Sequence, residues 1–206
     1  AAGTGNVAYH NAKVLHERGH DVTVLTAAAA SDQSFPYEVR RLATPFRIGN
    51  APLTPSLLGQ LKGFDLIHLH YGYIFGAELT MLAAQLYKTP YVLTYHNRLQ
   101  ANPSLKALLF GAYNATFETL LLQRAARICA VQTDHLLSLH PQFGQTGKLT
   151  ELPNGVDTSQ FKPVDRAAAK AQLDLPPRAK VVLFVGALDA AHWFKNVEGL
   201  LRAFAQ

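Results

Sequence analysis

The sequence predicts an α/β fold, a parallel sheet with helices on both faces, and three observations carry that prediction. Strand-like and helical stretches alternate along most of the 206 residues. The strand candidates are largely apolar, as strands covered on both faces of a parallel sheet are. The chain also opens on a tight glycine turn, Gly3-Thr4-Gly5, of the kind that joins a strand to the helix after it.

The elements follow in order. Ala8, Ala12 and Leu15 fall at helical spacing and mark one face of a first helix, which stops at Arg18-Gly19 because glycine readily takes the left-handed conformation there. Asp21 to Thr26 (DVTVLT) reads as a strand, and Tyr37 to Leu42 (YEVRRL) as a more exposed one. Residues 43–62, with three prolines and two glycines, read as a loop holding a short helix. The strands DLIHLH (65–70) and YVLTYH (91–96) flank a helix through Glu78, Leu82 and Leu86. A long apolar helix is expected over 104–126, buried in the core or against a further partner. The strand RICAVQ (127–132), a short helix over 134–140 and the strand KLTEL (148–152) complete the set.

The composition then shifts. Residues 153–179 carry turn signals, a short alanine-rich helix and a Pro-Pro pair, and read as a linker. KVVLFV (180–185) is an apolar strand candidate followed by Gly186, and a new helix starts near Asn196. Residues 1–152 thus read as one Rossmann-like domain lacking its first strand, and 180–206 as the first strand and helix of a second. In such a sheet the first strand lies in the middle, and its vacancy would leave unpaired backbone groups, each costing about 1–3 kcal/mol if buried. KVVLFV has the composition to fill that slot, within the chain or by strand exchange between two copies, and is expected to pair with DVTVLT or DLIHLH.

Charge and cysteine content narrow the function. Nineteen Lys and Arg against fourteen Asp and Glu give a net charge of +5, which suits an anionic substrate, an anionic lipid surface or nucleic acid without choosing among them. Nucleic acid is set aside because no helix shows a basic stripe with interleaved aromatics. The one cysteine, Cys129, excludes an internal disulfide framework and a cysteine zinc site, and fits a reducing, cytoplasmic setting. No apolar run reaches the length needed to span a bilayer. The apolar stretch 104–127 raises a peripheral membrane contact, against which stand its few basic residues, Lys106, Arg124 and Arg127.

Candidate site residues sit at strand ends, where ligands of open α/β sheets gather. His96 ends YVLTYH. His68 and His70 are two apart and share a strand face, so a three-histidine metal site with His96 is conceivable, although no carboxylate adjoins it and no metal is expected. The glycine turn offers backbone N–H groups to an anion. A dinucleotide fingerprint is only partly met: Ala8 stands where its last small residue belongs, but no acid follows the strand DVTVLT to hold a ribose.

The stretches GTGNVAYHNAKVLHERGHDVTVLT, DLIHLH, YVLTYHN, LPNGVDTSQFKP and VVLFVGALDAAHWFKNVEGLLRAFA resemble glycosyltransferase family 4, in that family's order and approximate spacing. The resemblance implies the GT-B fold, two Rossmann-like domains facing a cleft, the first binding an acceptor and the second a nucleotide diphosphate sugar. It implies transfer of a sugar to an acceptor hydroxyl with retention of configuration and no metal or other cofactor. By the same resemblance His96 is the active-site histidine, and Gly3, Thr4 and Gly5 lie near the donor phosphates. Gly186 and Lys195 hold the donor diphosphate; His70, Tyr71 and Asn97 are candidates for the acceptor pocket, although Tyr71, like Tyr73, can instead cap the core. Ala187 stands where the family has an arginine, Trp193 is bulkier than its counterpart, and the acidic pair that grips the donor lies beyond Gln206. The expectation is an incomplete and inactive half of such an enzyme; the alternative is a non-catalytic, engineered or truncated Rossmann-like binding module.

Overall fold

A computed structural model describes residues 3–29, 34–48, 51–101, 103–186, 188 and 195–205. It divides into two compact units, Ala1–Gly155 and Val156–Gln206.

The first unit begins with helix α1 (Gly3–Glu17), which buries Ala12. The expected glycine turn is not a turn before the helix: Gly3, Thr4 and Gly5 are its first turn, where N–H groups have no partner one turn back. The helix ends as expected, with Gly19 at φ +89° and its N–H donating to the His16 carbonyl at 2.9 Å. Strands β1 (Thr23–Ala27) and β2 (Glu38–Leu42) pair in parallel, Thr23 opposite Glu38 through Ala27 opposite Leu42. Residues 43–62 are more regular than expected. β3 (Phe46–Ile48) and β4 (Ala51–Leu53) form an antiparallel ribbon ahead of the short helix α2 (Leu57–Gln60). Pro52, which lacks a ladder donor, is tolerated because a two-stranded ribbon has only edge strands.

The second half of the unit is a four-stranded parallel sheet, β5 (Ile67–His70), β6 (Tyr91–Tyr95), β7 (Arg127–Ala130) and β8 (Leu149–Glu151), in that spatial order. Its connections run through α3 (Gly76–Tyr87), α4 (Leu105–Tyr113) with α5 (Thr119–Arg124), and α6 (Thr133–Leu139). All three advance in one direction across the sheet, so right-handed crossovers put these helices on the same face. That face is the core. Ile67, Leu69, Tyr91, Leu93, Tyr95, Ile128 and Ala130 are all buried on it and pack with Ala77, Ala83, Leu121, Leu122 and Leu136 of the helices. The alternate positions, His68, His70, Val92, Thr94 and Cys129, share the other face by register and are mostly half-buried. Among the described residues no hydrogen bonds join this sheet to the β1–β2 pair.

Two helices differ from expectation. α3 buries Gly76, Ala77, Thr80 and Ala83, while Leu82 and Leu86 point outward. The long helix expected over 104–126 is broken by a π-helical turn, Asn114–Glu118. Its first part, α4, buries no residue and exposes Leu105, Leu108 and Leu109; only the π turn and α5 enter the core.

In the second unit, α7 (Arg166–Gln172) is capped by Asp165, whose carboxylate accepts from the Ala168 N–H at 2.9 Å. Buried Lys170 donates to the carbonyls of Pro177 and Ala179 at 2.7 and 2.6 Å. α8 (Val197–Phe204) is capped by Asn196. The strand expected at KVVLFV is absent, and this segment pairs with neither DVTVLT nor DLIHLH. Its valine-rich composition favours a strand only where a ladder partner exists, and Leu183 and Val185 stand 80% and 81% exposed. Among the described residues no helix is long and apolar enough to cross a membrane.

Candidate functional site

The half-buried face of the sheet carries the chemistry. His68 and His70 alternate with the core residues Ile67 and Leu69 on β5, and His70 lies opposite Thr94 on β6. His96 follows directly after β6 and continues the row. His70 Nδ1 and His96 Nε2 are 3.0 Å apart and share one hydrogen bond, while His68 Nε2 and Thr94 Oγ1 share another at 2.7 Å. The rings stack, with centroids 4.4 Å apart for His68 and His70 and 5.3 Å for His70 and His96.

This packing keeps all three imidazoles neutral. Burial, and then the neighbouring rings, push the His70 pKa down to about 3. Burial and His96 lower that of His68, and burial lowers that of His96. The nitrogens therefore act near neutral pH as hydrogen-bond donors and acceptors rather than as cations. Only one of His70 Nδ1 and His96 Nε2 can carry the shared proton, so the two tautomers are coupled. His96 Nδ1 is left for other partners, since no hydrogen bond engages it among the described residues. Among the described residues no group of three or more His, Cys, Asp or Glu is arranged to hold a metal ion.

Thr94 also forms part of a small pocket. Its walls are Asn6, Val7, His10 and Asn11 of α1, Thr94 of β6, and Leu152–Gly155 after β8. Amide, imidazole and hydroxyl groups line it, and the first turn of α1 lies at its edge, so it is furnished with hydrogen-bond partners for a polar or anionic ligand.

The candidate residues are distributed unevenly. His70 and His96 are brought together. Asn97 is exposed beyond them. Gly3, Thr4 and Gly5 are in the first turn of α1, just before the pocket residue Asn6. Tyr71 is not beside His70: it is 2% exposed on the core face, stacked on Tyr95 with centroids 5.4 Å apart. Adjacent strand residues face opposite ways, so a chain that turns His70 outward turns Tyr71 inward. In the second unit Gly186 and Lys195 are neighbours, for a Cβ on Gly186 would lie 3.3 Å from Lys195 Cδ. Ala187 and Trp193 lie outside the described residues. Thr94, Asn6, His10 and Asn11 were missed, although Asn6 and His10 stand at i, i+4 on one helix face and Thr94 is two residues before His96.

Comparison with known proteins agrees with this picture. Residues 1–160 match the family described as Glycosyltransferase Family 4. The D-inositol 3-phosphate glycosyltransferase of Mycolicibacterium gilvum is 35% identical over 149 residues, covering 69% of this chain and 32% of that protein. The one from Nocardiopsis dassonvillei is 26% identical over 242 residues, covering 98% of this chain and 53% of that protein. The chain thus spans about a third to a half of the length of the curated relatives it matches. Among solved structures, Anabaena HepE in complex with UDP and glucose superposes with a TM-score of 0.58 at 18% identity, over 84% of this chain and 47% of that chain. A second HepE structure, with UDP-glucose, gives 0.59. Likeness at that identity shows the fold, a GT-B α/β architecture.

Proposed function

Because the chain belongs to glycosyltransferase family 4, we propose that its first unit is the acceptor-side half of an enzyme that moves a sugar from a nucleoside diphosphate sugar to an acceptor hydroxyl, with retention at the anomeric carbon. One observation carries the reading: at the carboxyl end of β6, His96 is held by His70 through a 3.0 Å hydrogen bond, on the strand face that Thr94 presents to the pocket under α1. A ring fixed in this way can orient an acceptor or donor hydroxyl without bringing a competing charge. As the sugar leaves, negative charge gathers on the diphosphate, and fixed donors stabilise it. The first-turn N–H groups of α1 are assigned that task.

The acceptor we assign is a phosphorylated polyol of the inositol phosphate kind. The relatives named above support it, as does the polar lining of the pocket by Asn6, His10 and Asn11. No metal or other cofactor is assigned. The test is to incubate the chain with UDP-glucose and D-inositol 3-phosphate, alone and together, and to follow UDP release and the anomeric signal of any glycoside by NMR. The reading expects saturable binding of the phosphorylated polyol and, in any product formed, a retained anomeric configuration. Binding of neither compound, or an inverted product, would overturn it.

A further inference from the structure

We propose that Glu118, together with Asn114, is a positioning residue for the transfer site: from one π-helical turn the two side chains hold Tyr95, Arg98 and Leu99, the residues on either side of His96 and Asn97, and so set where the His96 ring stands. The proposal rests on the reading of His96 given above.

Glu118 is fully buried. A carboxylate there costs several kcal/mol unless it is partnered, and an apolar side chain of similar size would serve packing at least as well. What a carboxylate adds is direction. Its Oε1 accepts from the Tyr95 hydroxyl at 2.6 Å and lies 3.4 Å from His140 Nε2, and its Oε2 lies 3.4 Å from Arg98 Nε. Asn114, one turn earlier and also buried, donates from Nδ2 to the Leu99 carbonyl at 2.9 Å. All four contacts come from the core side of the sheet, and three of them grip the segment Tyr95–Leu99. On the opposite side the same segment is held through His96 by His70. The residues that follow a strand are therefore fastened from both faces, and the loop beyond cannot shift without breaking a contact.

The π turn brings Asn114 and Glu118 to the core although α4 before it buries nothing. Such turns occupy well under 1% of residues in globular proteins and recur at functional sites. Here it inserts one residue per turn between an outward helix and an inward one, and the two polar side chains it delivers are the ones that reach Arg98 and Leu99.

The test uses the 206-residue chain with ¹⁵N-labelled histidine, as wild type, Glu118→Gln, and the double variant Arg98→Gln/Glu118→Gln. The double variant removes both charges, so no uncompensated ion remains to unfold the protein, and it decides the matter if Glu118→Gln fails to fold. The ring-nitrogen resonances of His70 and His96 should move in both variants, while those of exposed His135 stay in place. Affinity for D-inositol 3-phosphate should fall by about tenfold, the loss that one misaligned hydrogen bond causes. Unchanged His96 resonances in the folded double variant would overturn the proposal. Displaced resonances with unchanged affinity would uphold the clamp and instead overturn the reading of His96 as part of the transfer site.

Discussion

Acidification from pH 7 to pH 5 will destabilise the first unit through His70. The ring lies between His68 and His96, and burial with those neighbours pushes its pKa from 6.5 down to about 3. In the unfolded chain the same imidazole takes up a proton below a pH of about 6.5. Between these limits the unfolded state binds a proton that the folded state refuses, so stability falls as the pH falls and levels off only below a pH of about 3. One pKa unit is worth about 1.4 kcal/mol, so the roughly 1.5 units between 6.5 and 5 cost about 2 kcal/mol. Solvent at the outer edge of the ring trims this figure. His68 and His96, also lowered by burial, act in the same direction. Urea unfolding followed by circular dichroism, at pH 7 and pH 5, measures the effect in the chain and in His70→Gln. The substitution removes the titrating group, so the variant should lose about 2 kcal/mol less than the wild type over this interval. Parallel pH dependence in the two proteins would refute the reasoning, because it would mean that His70 protonates as easily folded as unfolded.

Two further substitutions test the packing that supports the site. Tyr95→Phe deletes one donor to the buried Glu118 carboxylate and should cost about 1–3 kcal/mol in urea unfolding; a cost under about 0.5 kcal/mol would show that the carboxylate is satisfied without it. Gly76→Ala would place a methyl 2.3 Å from two ring carbons of Tyr73, whose hydroxyl is already engaged by Thr54, and overpacking of this kind costs about 1–3 kcal/mol. A melting temperature equal to that of the wild type would show that the Tyr73 ring moves aside freely.

Much of the first unit is legible from residue order because its physics is local. The β-α alternation, the stop at Gly19 and the run DLIHLH all report on neighbours within a turn or a pleat. Pleat alternation also places His68 and His70 on one face, and applied one residue further it places Tyr71 on the other, which selects core capping over pocket lining for that tyrosine. Three features were not legible. The β3–β4 ribbon contains Pro52 beside a proline-rich stretch, which reads as loop unless the two short edges are seen to pair. The π turn leaves the apolar character of 104–126 unbroken, and only the four-residue spacing of the polar Asn114 and Glu118 within it hints at an inward face. KVVLFV has strand composition, but a strand is a property of two segments, and composition carries no knowledge of the partner. Within the site, Thr94 was readable from its spacing to His96, whereas the pocket wall from α1 and Leu152–Gly155 depends on tertiary approach.

The central claim is that His96 lines a site of glycosyl transfer rather than merely filling the end of β6, and His96→Ala tests it most directly. His96 is half-buried and keeps its place through one hydrogen bond to His70, so the substitution should leave the melting temperature within a few degrees of the wild type, as a cost of about 1 kcal/mol implies. Saturable binding of D-inositol 3-phosphate, measured by NMR on both proteins, should be lost in the variant. A steep drop in melting temperature with binding retained would contradict the account and make His96 a structural residue.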